Sequence, residues 1–159
     1  MLGLIVGLCQ EQFRIPFPVS LLAAYYTTRA SLPWVPVDQV EQNVLAFLEK
    51  FYRLARHSSN LKFDPVHVAA LELPYIDVHR LLAGEADKST FIQTLIDRHF
   101  ALFDLSPEQV RASAEWRVLA ASTVDLITSK TSTDVEGDWV KLEEYLRHCS
   151  RSIQLQLGA

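Results

Sequence analysis

Apolar residues recur along this chain at three- and four-residue spacing, and no stretch alternates convincingly as a strand would. The cleanest pattern runs from Val37 to His57. Val40, Val44, Phe47, Leu48, Phe51, Leu54 and Ala55 form one stripe, with Gln39, Gln42, Asn43, Lys50, Arg53 and His57 opposite it. Asp38 and Glu41 occupy the first turns and Arg53, Arg56 and His57 the last, the order that suits a helix dipole. A longer helix is predicted from Ser106 to about Lys130. Ser106 is placed to cap it, Pro107 fits its first turn and Gln109 completes a capping box. On its wheel Val110, Ala114, Val118 and Ala121 take one side, Leu119 and Leu126 another, and Trp116, Ala120 and Ile127 a third. A helix apolar nearly all round belongs inside a protein, so this one is expected at the centre, wrapped by the others.

The remaining pattern supplies further helices. The chain opens on Met1-Leu2-Gly3-Leu4-Ile5-Val6, which predicts an N-terminal end packed as if inside a core. Pro16 and Pro18 separate this end from a helix over Val19 to Ala30. Leu32 to Pro36 reads as a stiff connector, with Trp34 plugging the core edge. Asp64-Pro65 begins a helix that Pro74 is expected to break or kink, with a further turn or two over Ile76 to Ala83, stopped by Gly84. Ser89 caps a helix from Thr90 to Phe103. A polar linker over Thr131 to Gly137 then leads into a last helix, about Asp138 to Leu155. The expectation is an all-α fold, a single-domain bundle of about seven helices over residues 1–159 around the central helix 106–130.

At 159 residues the chain is long enough to bury a substantial core, and a 49% hydrophobic composition argues against disorder. The net charge of −4 gives no overall attraction for nucleic acid or anionic membrane, so such contact needs a local basic ridge. Cys9 and Cys149 stand far apart without CxxC or CxxH spacing, which favours a reducing, cytoplasmic setting over a disulfide framework or zinc cluster. The longest apolar run, Leu2 to Cys9, is far shorter than a membrane span and lacks a basic lead-in, so neither membrane nor targeting is expected.

Candidate chemistry is sparse. The histidines at 57, 67, 79, 99 and 148 form no HxxxH or HExxH pair, and no GxSxG elbow or phosphate-binding glycine loop is present. Glu72, Asp77 and His79 could converge across the Pro74 kink. His99 lies on an apolar face, which favours a core side chain with one ring nitrogen bonded to a carbonyl. Arg117 and Asp125 are expected as a structural charge pairing, through a third group or to neighbouring helices. Cys149 sits on an apolar stripe and suits an inert thiol. These features point away from an enzyme and call for no cofactor or metal.

Two basic ridges remain. Lys50, Arg53, Arg56 and His57 share the polar side of one helix, followed by Lys62; Lys141, Arg147 and Arg151 share the last helix, with His148 beside them. Spacings of three and four residues put these cations on common faces, as contact with successive phosphates requires. The competing explanation is ordinary helix electrostatics: dipole complementation and the i,i+4 pairs Glu143–Arg147 and Glu144–His148. Aromatics that could stack bases are not obviously interleaved with these cations, so any nucleic-acid contact is expected through the backbone, without sequence preference.

The abrupt start at Met1-Leu2-Gly3-Leu4-Ile5-Val6, the helical pattern and the ridges at Lys50/Arg53/Arg56 and Arg147/Arg151 together resemble, in architecture, the small helical subunit of CRISPR effector complexes of the Cascade type. Some of these look like the C-terminal part of the large subunit, translated separately. The resemblance covers the whole chain and rests on no diagnostic motif. It implies a non-catalytic role in antiviral defence. Several copies would pack with other subunits and hold guide RNA or displaced single-stranded DNA by the backbone. The net acidity departs from that role. Two other readings stand beside it. One is a helical protein–protein adaptor without nucleic-acid contact, using apolar surface around Phe13, Phe17, Tyr25 and Tyr26. The other is an enzyme built on Glu72, Asp77 and His79.

Overall fold

The computed structural model describes residues 2–31, 40–81 and 88–158. They form α1 (Leu2–Phe13), α2 (Val19–Ser31), α3 (Val40–Ser58), α4 (Pro65–Leu81), α5 (Lys88–Phe103), α6 (Pro107–Thr128) and α7 (Val135–Leu157), with no strand among the described residues. Each helix packs on the next in sequence, and the series closes because α7 also packs on α1. α1 touches α3 as well. All seven helices contribute to one apolar core, which makes the molecule an all-α, single-domain bundle. Phe13 links its parts, meeting Phe51 edge-on at 5.7 Å between ring centroids and stacking on Phe103 at 6.5 Å. Leu48, Leu95, Ile96, Val110 and Ile153 are fully buried around this centre.

Short polar side chains set where several helices begin. Gln109 Oε1 accepts the Ser106 backbone N–H at 2.9 Å at the start of α6, with Pro107 in the first turn. Asp64 Oδ1 accepts the Val66 N–H at 3.0 Å ahead of α4. Three helices end on side-chain-bearing residues in the left-handed region: Arg14 after α1 (φ 54°), Asp104 after α5 (φ 55°) and Lys130 after α6 (φ 59°). Among the described residues glycine holds that place only after α7, at Gly158 (φ 72°).

Three elements differ from their sequence expectation. α4 runs through Pro74 without interruption, so the expected second short helix is its last turns. α7 begins three residues before Asp138, because Asp134 caps it: its carboxylate accepts the Gly137 N–H at 3.0 Å, placing Gly137 inside the first turn instead of in the linker. α6 is less enclosed than a fully wrapped helix would be. It packs on α5 and α7, Val110, Ala114, Val118, Ala120 and Ala121 are buried, and Leu119 and Leu126 are exposed. Apolar character all round the wheel over-counted the buried faces by one. Trp34 and Gly84 lie outside the described residues.

Candidate nucleic-acid interface

The inward stripe of α3 fixes where its cations stand. Val44, Leu48, Phe51, Tyr52 and Ala55 are buried, which leaves Lys50, Arg53, Arg56 and His57 on the exposed side. Lys62, in the connection to α4, is exposed as well. Arg53, Arg56, His57 and Pro65 line an open groove of about 420 Å³. Arg53 is bridged to Glu49 one turn back, at 3.3 Å, and its side chain is still 61% exposed. Arg56, His57 and Lys62 have no carboxylate partner among the described residues.

At its N-terminal end this ridge meets a cluster of rings. Tyr25 packs edge-on against Phe47 at 6.3 Å and lies 5.8 Å from Tyr26; Tyr26 lies 6.2 Å from Phe47. Lys50 Nζ sits 5.4 Å from the centre of the Phe47 ring and 5.9 Å from that of Tyr26, and the Arg29 guanidinium is 5.4 Å from Phe47. Tyr25 keeps half its surface exposed. Sequence reasoning missed this arrangement, because Tyr25 and Tyr26 come from α2 and join the cations only across the α2–α3 interface. The available signal was adjacency: consecutive helices joined by a short connection pack together, and Phe47 stands one turn before Lys50.

The second ridge is different. On α7, Lys141 is bonded to Asp138 at 2.9 Å, which holds the ammonium pKa above its usual value. Arg147 is bonded to Glu143 at 2.8 Å and faces Glu11 of α1 at 3.5 Å; the Glu143 bond and both carboxylate charges raise its pKa as well. Arg151 is exposed. His148 stacks on Trp116 at 4.7 Å, and Tyr145 stacks on the same indole at 5.7 Å. α1 packs on both α3 and α7, which do not pack extensively on each other.

A buried polar cluster joins α3, α4 and α5 behind the ridge. Tyr52 donates its hydroxyl proton to Glu72 Oε2, and Arg98 Nη1 donates to Glu72 Oε1 at 3.0 Å, both side chains of that ion pair being nearly enclosed. Arg98 Nη2 lies 2.8 Å from His99 Nε2. A guanidinium can only donate, so Nε2 accepts and the proton of the neutral ring sits on Nδ1, which is buried without a hydrogen-bond partner among the described residues. Burial first, then the charges of Arg98 and Arg117, hold the His99 pKa well below its ordinary value. Burial and the nearby Glu72 charge push the Tyr52 phenol well above its own.

His99 is thus a core side chain, as expected, with an arginine in place of the expected carbonyl partner. Glu72 turns to Tyr52 and Arg98; the side chains of Asp77 and His79, its expected companions, lie outside the described residues. Arg117 acts on neighbouring helices, its charge reaching Tyr52 on α3 and His99 on α5. Burial raises the Cys9 thiol to about 11, so it is protonated at neutral pH, and Cys149 is buried with the Ser113 hydroxyl 3.1 Å from its sulfur. Among the described residues no cluster of three or more metal-ligating side chains occurs, and no helix is long and apolar enough to cross a membrane. Comparison with family models, with curated proteins and with solved structures finds no match.

Proposed function

We propose that this protein is a non-catalytic helical subunit that holds a nucleic-acid backbone on the exposed face of α3. The observation that carries the reading is the contrast between the ridges. On α7, Lys141 and Arg147 are neutralised by carboxylates, whereas Arg56, His57 and Lys62 stand open beside Arg53. Arg53 and Arg56 line the open groove at helical spacing, with Lys62 exposed in the connection that follows, and exposed cations of this kind attract phosphates without reading bases. Of the two candidate sets, Lys50, Arg53, Arg56, His57 and Lys62 constitute the site; Lys141 and Arg147 belong to the fold's own electrostatics, and Arg151, exposed one turn after Arg147, has no carboxylate partner among the described residues. The role agrees with the one implied by the resemblance to CRISPR small subunits, in which the strand is guide RNA or displaced single-stranded DNA.

Packing against other subunits, or further copies of this chain, is favoured by a different surface. Phe17, just before α2, and Leu21 and Leu22 in its first turn are exposed, while Phe13 is buried. A pure adaptor would use that surface and bind no strand. Fluorescence anisotropy with a labelled single-stranded oligonucleotide at physiological salt separates the two. The proposal expects binding that Arg56→Glu weakens and Arg147→Gln leaves in place. No binding by the wild type sinks it.

A further inference from the structure

We infer that the ring cluster at the α2–α3 junction is a base-stacking platform, with Tyr25 its contact ring, which makes the α3 track selective for single strands carrying bases. The inference rests on the proposed backbone contact and adds a second, non-ionic element to it. Tyr25 is held on two sides, by Tyr26 and by the edge of Phe47, yet half its surface is open. A ring ordered in advance loses little freedom on meeting a base. Lys50 belongs to both features. Its ammonium lies against Tyr26 and Phe47, and its place on α3 is one turn before Arg53, at the head of the groove that Arg53 and Arg56 line.

A chain whose phosphates follow Arg53 and Arg56 therefore passes Lys50 and reaches Tyr25. There one base can leave its neighbours and lie on the phenol. Charge complementarity favours this occupant over a protein helix or a membrane. Arg29 and Lys50 both crowd the rings, and α2 carries no acidic residue, so the surroundings suit a polyanion with flat apolar faces. A duplex keeps its bases stacked on each other and offers Tyr25 nothing. Every base has such a face, so the platform confers a preference for unpaired strands with little preference among sequences.

The test uses two strands of equal charge, a dT20 oligonucleotide and a 20-residue abasic phosphodiester, read by anisotropy at fixed salt. The inference expects the wild type to favour dT20 by about fivefold or more, the smallest factor a single stacked base supplies. Tyr25→Ala should bring dT20 down to the abasic level with the salt dependence unchanged, and Tyr25→Phe should restore the preference. Tyr25 is half exposed, so circular dichroism should show all three proteins equally helical. Equal affinity of the wild type for the two strands overturns the platform and leaves the phosphate track standing. Tyr25-dependent binding to phosphatidylserine vesicles with no binding of dT20 overturns both the platform and the track. Failure to bind either strand removes the track and the platform together.

Discussion

At His99 one ring is enclosed by two arginines' fields and by Phe103, whose ring centroid lies 5.8 Å away. Its depressed pKa makes acid sensitivity a property of this residue. Below the ordinary histidine value of about 6.5, the unfolded chain binds a proton that the folded ring refuses. The unfolded state then holds more protons, so stability rises with pH in this range and falls as the solution is acidified. The loss should approach about 1.4 kcal/mol per pH unit until the folded ring itself titrates. His99→Gln can still offer Arg98 an acceptor, and urea melts from pH 7 to 5 should show a shallower slope for this variant than for wild type. Equal slopes would place the sensitivity elsewhere. The adjoining Glu72–Arg98 pair makes a second prediction. Arg98→Met strands a buried carboxylate and should cost about 3–5 kcal/mol. The double variant Glu72→Leu/Arg98→Met should recover much of that loss in the same melts, because the carboxylate stranded by the single variant is removed with its partner.

Elements show where a sequence is readable and where it is not. α3 was legible over the described residues except at Tyr52, which is buried outside the expected stripe, since its apolar stripe, its cations and its polar end all report one amphipathic helix. The start of α6 was legible because Ser106, Pro107 and Gln109 are a local code, read within one turn. The ends were harder. Gly137 reads as a stop in sequence, and only the Asp134 carboxylate folded over its N–H turns it into part of a first turn. Asp134→Ala should therefore cost about 1 kcal/mol and fray α7 at Val135, measurable by thermal melts and by faster amide exchange there. α6 misled in another way, because a wheel counts apolar faces without knowing how many neighbours will arrive. The ring cluster was illegible for a related reason: Tyr25 and Lys50 come from different helices, and no spacing within one segment announces their meeting. The same holds for Glu72, which the sequence placed with companions on its own helix and the fold turned toward Tyr52 and Arg98.

Across the whole molecule, a net charge of −4 coexists with one face of open cations. The internal pairing of Lys141 with Asp138 and of Arg147 with Glu143 and Glu11 reconciles the two. Acidic groups pair with Lys141 and Arg147 on α7, whereas Arg56 on α3 has no carboxylate partner among the described residues. A polyanion is then attracted locally while the rest of the surface repels it, which orients a strand along α3. The most direct measurement is the affinity for a single-stranded oligonucleotide as a function of salt. With Lys50, Arg53, Arg56 and Lys62 on phosphates, log K against log[salt] should fall with a slope of about −2 to −3. Arg56→Glu should weaken binding and make that slope shallower by about 0.7, the share of one lost contact. Arg147→Gln should change neither. A wild-type slope near zero, or a loss on Arg147→Gln equal to that on Arg56→Glu, would contradict the assignment of the track to α3.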